Sequence, residues 1–284
     1  MTRGQPSGER VADLHLHTTA SDGRAAPAEV VRAMAGLGFA VVSITDHDEV
    51  SGVAEAIEAG RACGVEVIPG VELSTELNDR EVHILGYYID RDASALGEVL
   101  AACRDHRQKR MDTMVEKLAA VGVPVDVEAV RALAGEGAIG RPHLAQALVE
   151  AGHVRSVNEA FSRYLARGRP AYAPKWKLSP AEACALVRRI GGVPVLAHPV
   201  LLKDDTLVPT LIEAGVLGIE AYYSYCPVET TARYVRMAEA AGLLVTGGSD
   251  CHQEPGNVLM GRVRLAYARV EALRARWEAL GGRR

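Results

Sequence analysis

The chain has 284 residues, 48% of them hydrophobic, with only 2 Trp and 2 Phe; this composition suits helices packed closely on a sheet and excludes a disordered chain. Its formal charge of −4 excludes a general electrostatic grip on nucleic acid and leaves room only for a local basic site for one or two phosphates. No apolar stretch reaches the roughly 20 residues that span a bilayer, and Cys63, Cys103, Cys184, Cys226 and Cys251 form no CxxC pair.

The first residues, MTRGQPSGER, lack the apolar core of a signal peptide, so a reduced, cytoplasmic protein is expected. The first predicted strand is RVADLHLH, followed by a helix in PAEVVRAMAGLG, a strand in FAVVSITDHD and a helix in SGVAEAIEAGRACG, with Ser51 as its cap and Gly64 as its stop. VEVIPGVELS and EVHILGYY are the next strands. From residue 93 to 177 the rhythm breaks into successive helices: ALGEVLAACRDHRQKRMDTMVEKLAAVG, VDVEAVRALAGEG, RPHLAQALVEAG and SVNEAFSRYLARG. SPAEACALVRRIGG then leads into VPVLAHP and restores the helix-then-strand order, which GIEAYY and LLVTGGSDCH continue. The alternation predicts α/β architecture, with βα units around a parallel sheet in residues 10–92 and 178–284 and an inserted helical subdomain in residues 93–177.

Histidine usage points to chemistry. His15, His17, His47, His83, His198 and His252 lie in or just after predicted strands, whereas only His106, His143 and His153 fall in the insertion. Alternation along the first strand predicts His15 and His17 on one face and Leu14 and Leu16 on the other. Asp22, Asp46, Asp48, Glu72 and Asp250 accompany the histidines. Parallel strands in a barrel would gather most of these groups at its C-terminal face, although His83, in the middle of its run, needs another route there. One histidine in such a place is more often a packed core residue. Six with several carboxylates would be costly to bury without cations, and mixed nitrogen and oxygen donors suit Zn²⁺, Mn²⁺ or Fe²⁺ better than Ca²⁺ or Mg²⁺.

In that order DLHLHTTASDG, ITDHD, PGVELS, EVHILGYY, LAHP and GGSDCH resemble the successive motifs of the PHP (polymerase and histidinol phosphatase) family. The resemblance implies a distorted (β/α)7 barrel with two or three divalent metal ions (Mn, Fe or Zn) in its mouth. It also implies that His15 and His17 bind one metal with Asp250, that Glu72 bridges it to a second held by His83 and His198, and that Asp22, His47 and His252 form a third position. Such ions serve phosphoester hydrolysis, with His198, His252 or Asp48 as candidates for moving a proton to the leaving alkoxide. Because the same ions serve amide hydrolysis, the ligands alone do not choose the substrate.

Within the insertion, IGRPHLAQALVEAG places Arg141 and His143 at the start of a helix, and RGRPAYAPKWKLSP carries Arg169, Lys175 and Lys177. A helix start with free amides and an arginine suits an anion, so Arg141, His143 and Lys175 are the candidate substrate-binding residues; Arg169 and Lys177 read as solvated surface. GRPH is similar to the motif of the PHP subgroup that removes the 3′-phosphate from nucleoside 3′,5′-bisphosphates, some members of which trim RNA from its 5′ end. Tyr172, Trp176, Tyr222 or Tyr223 could stack on a base. Cys251 reads as core and not as a nucleophile. The expected substrate is a small nucleotide or a short RNA end, with no stable duplex binding, no membrane partner and an oligomeric state compatible with a monomer. A metal-dependent hydrolase of a non-phosphate substrate and a non-catalytic metal-binding module are the alternatives.

Overall fold

Each apolar run bounded by polar residues becomes a strand of one curled sheet in the computed structural model, which describes residues 10–135, 139–174 and 178–282. In chain order the elements begin with β1 (Val11–Leu16), α1 (Pro27–Gly36), β2 (Val41–Ile44), α2 (Gly52–Cys63), β3 (Glu66–Leu77) and β4 (Arg80–Tyr87). Then come α3 (Ser94–Ala120), α4 (Val127–Ala134), α5 (Arg141–Glu150), α6 (Val157–Ala160) and α7 (Pro180–Arg189). The chain closes with β5 (Val193–Leu196), α8 (Val208–Glu213), β6 (Gly218–Tyr223), α9 (Val228–Ala240), β7 (Leu244–Gly248), β8 (Leu265–Ala266) and α10 (Tyr267–Ala279). The short β8 and the C-terminal α10 are additions to the sequence reading. No described helix is long and apolar enough to cross a membrane.

The chain divides into two compact units, residues 1–96 with 178–284 and residues 97–177. In the first, the strand order is β7-β6-β5-β4-β3-β2-β1-β8. The pairs β1/β2, β2/β3, β5/β6 and β6/β7 are parallel, but β4 runs antiparallel to both β3 and β5. The short β8 also runs antiparallel to β1, so the expected parallel sheet is corrected at these two strands, and at β4 the cause is local. Asn78 and Asp79 both adopt left-handed backbone (φ 50° and 63°), which permits a two-residue hairpin between the paired Leu77 and Arg80. Reversal solves the problem of His83: opposite Ser74, it lies beside the end of β3 that Glu72 approaches.

The sheet curls until its ends meet. The Asp250 amide donates to the His15 carbonyl (2.8 Å) and the His17 amide to the Cys251 carbonyl (3.2 Å), so the segment after β7 continues along β1. Inside, one apolar cluster draws Ala12 and Leu14 from β1, Ile68 from β3, Leu85 from β4, Val195 from β5, and Val270 and Leu273 from α10. Outside, α1 and α2 cover Val42 and Ile44 with Val30, Val31, Met34 and Ala56. The register of β1 shifts between Asp13 and Leu16, and this changes the face expected of Leu16: it packs in the outer cluster with Cys251, while Leu14 stays inside. Ser51 does not cap α2 with its side chain; Glu49 instead accepts the amides of Val50 and Ser51, and Gly64 ends the helix in left-handed backbone as expected (φ 76°).

Among its described residues the second unit is helical. Met111, Met114 and Leu118 of α3 pack with Val130 of α4, Leu144 and Leu148 of α5 and Ala160 of α6. Asp126 and Ser156 cap α4 and α6.

Candidate metal centre

Burying a carboxylate in an apolar barrel costs several kcal/mol unless it is matched by charge or hydrogen bonds. Glu72, fully buried on β3, is matched by five imidazoles. Its Oε1 lies 2.8 Å from His83 Nδ1 and 3.0 Å from His198 Nε2. Its Oε2 lies 3.0 Å from His47 Nδ1 and 3.2 Å from both His15 Nε2 and His17 Nε2. Asp250 adds a second carboxylate, with Oδ1 at 3.0 Å from His17 Nε2 and 3.4 Å from His15 Nε2. Asp22 approaches from the loop after β1 and reaches His252 Nε2 at 3.1 Å.

These atoms fall into three overlapping donor groups: His15, His17, Glu72 and Asp250; His47, Glu72 and His83; and His17, Asp22, His47 and His252. His198 joins the second through Glu72 Oε1. The nine residues proposed as ligands from the sequence thus converge at one end of the first unit's sheet. Local backbone makes this possible. His198 and Asp250 sit at positive φ (23° and 54°), turning the chain sharply after β5 and β7. Asp46 accepts the Thr18 amide, the Thr18 hydroxyl and the Ser21 hydroxyl, which fastens the loop that carries Asp22.

Asp48 is placed differently. It also adopts left-handed backbone (φ 50°), and its Oδ1 accepts the Ser74 amide at 2.8 Å, joining the end of the β2 segment to β3. It belongs to none of the three donor groups. Arg141 and His143 lie in the second unit at the start of α5, where His143 Nδ1 accepts the Gly140 amide (3.1 Å) and the Arg141 guanidinium lies 5.6 Å from the Phe161 ring centre. Lys175 and Trp176 fall outside the described residues. Alternation on β6 separates the two tyrosines proposed there: Tyr223 is buried and reaches Asp250, whereas Tyr222 is on the other face and exposed.

Two observations fit this cluster to metal. First, His17 Nδ1, His47 Nδ1, His83 Nε2, Glu72 Oε2 and Asp250 Oδ1 are buried and make no hydrogen bond, although cation-ligating partners surround them. Buried donors and acceptors in that state are rare without an ion or water. Second, burial should strip these rings of charge, yet the Asp250 and Glu72 carboxylates override it and push His17 up to about 10, and the Glu72 charge lifts His83 to about 9. His47 goes the other way, to about 3, because burial and the neighbouring His17 and His83 outweigh Glu72. Burial raises Glu72 and Asp250, but the adjacent imidazolium charges hold both well below the usual carboxylate range. The carboxylates therefore demand positive charge, which divalent cations held by the same atoms would supply while displacing ring protons.

The sequence reading missed one residue of this cluster. Glu220, fully buried in β6, places both carboxylate oxygens on His15 Nδ1 (3.0 and 3.1 Å) and accepts the His198 amide (2.8 Å). It fixes the His15 tautomer so that Nε2 faces the centre, a role that carboxylates behind metal-bound histidines commonly fill. The signal was present: a lone Glu amid GIEAYY has no place in a buried strand without a partner. Glu220→Gln should weaken metal binding by about 10–100-fold with little change in the melting profile, as read by metal titration of the apoprotein. Unchanged affinity would make Glu220 a packing residue only.

The sequence profile of the PHP domain matches residues 13–125. The 5′-3′ exoribonuclease Rnm of Escherichia coli (strain K12) is 34% identical over 276 residues, 94% of each chain. The 3′,5′-nucleoside bisphosphate phosphatase of Chromobacterium violaceum is 33% identical over 246 residues, covering 84% of this chain and 86% of that one. A crystal structure of a candidate metal-dependent phosphoesterase from Bifidobacterium adolescentis superposes with a TM-score of 0.80 at 32% identity, over 95% of this chain and 97% of the other.

Proposed function

Because the chain belongs to the PHP-domain family, we propose that it is a metal-dependent phosphoesterase that removes the 3′-phosphate from nucleoside 3′,5′-bisphosphates, with short RNA 5′ ends as related substrates. The observation that carries the reading is Glu72, whose two oxygens each face more than one imidazole and so can be shared between adjacent cations. His15, His17 and Asp250 would hold one ion with Glu72, and His83 and His198 a second. Asp22, His47 and His252 would hold a third. The donor set suits two or three ions of Mn, Fe or Zn. Such ions polarise phosphoryl oxygens and lower the pKa of water.

The chain's own groups supply the remainder. Glu220 keeps His15 in the required tautomer, and Tyr223, whose hydroxyl lies 3.3 Å from Asp250 Oδ2, orients that carboxylate so that Oδ1 faces His17. Of the three candidates for the leaving-group proton, His252 has the most accessible side chain (28%, against 8% for His198) and stands between Asp22 and Asp250. Asp48 is committed by one oxygen to Ser74. His252 is therefore the proton donor in this proposal when two ions are held and its Nε2 carries a proton in place of the third.

The test is a side-by-side assay of manganese-loaded protein on 3′- and 5′-phosphorylated nucleotides. Adenosine 3′,5′-bisphosphate should be cleaved at the 3′ position, with a much higher kcat/KM than adenosine 3′-monophosphate. Equal values would indicate a general phosphatase. In the same assay Arg141→Ala should lower kcat/KM for the bisphosphate by about one to two decades, the equivalent of one charge-assisted pair of roughly 1.5–3 kcal/mol. Turnover of p-nitrophenyl phosphate, which lacks a second phosphate, should change far less. Equal loss on both substrates would remove Arg141 from substrate selection.

A further inference from the structure

An aromatic step leads away from the donor cluster. The Tyr223 ring centre lies 5.5 Å from that of His198, and the Tyr225 ring packs edge-on against Tyr223 at 5.8 Å. Tyr223 is buried, whereas Tyr225 is 59% exposed. Exposure alone says little, since single surface tyrosines are ordinary. Here the backbone holds in place the turn that carries the exposed ring. The Cys226 amide donates to the Tyr223 carbonyl (3.0 Å), closing a tight turn, and the Ser224 hydroxyl donates to the Ser249 carbonyl (2.7 Å), tying that turn to the residue before Asp250. The exposed ring thus stands two ring contacts from a proposed metal ligand, on a turn anchored to the strand end that carries another.

We propose that Tyr225 is the nucleobase platform of the active site, stacking on the base of a substrate whose 3′-phosphate lies over the donor cluster. This inference rests on the nucleotide reading given above and names a specificity residue within it. A nucleoside phosphate keeps its base one ribose away from the reacting group, which matches a ring set beside the cluster and not within it. Stacking tolerates any base, because each has a π-face, so the platform selects for a nucleobase without choosing among bases. Tyrosine suits this use: it offers a large, rigid face with little side-chain entropy to lose, and the edge-on contact with Tyr223 fixes the ring's tilt.

Calorimetric binding and kinetic assays with the metal-loaded protein test the platform, comparing adenosine 3′,5′-bisphosphate with the abasic 1-deoxyribose 3,5-bisphosphate. Tyr225→Ala should weaken adenosine bisphosphate binding about tenfold or more, the scale of one lost base stack, and should leave the abasic ligand unchanged. Tyr225→Phe should restore most of the loss, since the ring and not the hydroxyl makes the contact. Equal affinities of Tyr225→Ala and wild type for adenosine bisphosphate would overturn the proposal, as would equal losses on both ligands. Failure of wild type to hydrolyse the bisphosphate would overturn the phosphatase reading instead, and the binding comparison would still decide whether Tyr225 meets a base.

Discussion

Glu72→Gln should strip the centre of most of its metal and lower phosphoester turnover by more than about a hundredfold, while the protein still folds. Partners one step behind a ligand already cost about 10–100-fold when lost, and Glu72 stands at the centre, within 3.2 Å of five histidines. An amide of the same shape removes the negative charge and turns one of two acceptors into a donor facing imidazole nitrogens. Cations then lose their shared ligand, and ligands at either side lose the charge that balanced them. The fold survives for a separate reason. Breaking a buried ion pair usually costs about 3–5 kcal/mol when the remaining charge is trapped, but the imidazoles here can release protons and become neutral. Metal analysis, kcat/KM and thermal melting of the variant separate these effects. Full metal occupancy with turnover near wild type would remove the cluster from the proposed chemistry; collapse of the melting transition would show Glu72 to be structural. His198→Ala should lie between the two variants of the carboxylates, since His198 touches only one Glu72 oxygen and its backbone contact with Glu220 survives truncation.

The candidate ligands stood out in the sequence because metal chemistry restricts residue type more tightly than folding does. A histidine pair at the end of LHLH, ITDHD at the end of another strand and GGSDCH at the end of a third are costly as core and natural as ligands. What the sequence hid depends on geometry. The reversal of β4 rests on two consecutive left-handed residues, Asn78 and Asp79, and such backbone is not announced by Asn-Asp as strongly as by Asn-Gly. The separate packing of Leu14 and Leu16 follows from a register shift that strict alternation cannot anticipate. Asp13 belongs to that shift. Its Oδ1 accepts the amides of His15 and Ser249, and burial pushes its pKa up to about 7 against those bonds. Glu220 was passed over because a lone carboxylate in a strand resembles an edge residue until its neighbours are known. Asp48 drew attention by proximity in sequence, yet one of its oxygens fastens β3.

Gly248→Ala should destabilise the protein and release metal, although the substitution adds only a single methyl group. The backbone there is one that alanine can adopt, and on that ground alone the change would stabilise by about 0.4–1 kcal/mol through the unfolded chain. Space decides otherwise. A Cβ at Gly248 would stand 2.2 Å from His15 Cβ, 2.4 Å from its backbone nitrogen and 2.8 Å from its Cα. None of these atoms can swing aside, because they are fixed by β1. The seam where the sheet closes must open instead, and overpacking of this kind costs about 1–3 kcal/mol or more, enough to outweigh the entropic gain. The functional loss should exceed what the stability loss suggests. Moving β1 away from β7 carries His15 from Asp250 and Glu220 together, and displacements near 1 Å can cost about a hundredfold in rate. Gly97→Ala provides the contrast: Gly97 lies near the start of α3 with nothing close to its missing Cβ, so alanine should raise stability by about 0.5–1 kcal/mol and leave metal content alone. Thermal melting and metal analysis of both variants check the argument. A Gly248→Ala protein with wild-type melting and full metal would mean that the seam yields without moving His15, and that barrel closure does not position the centre.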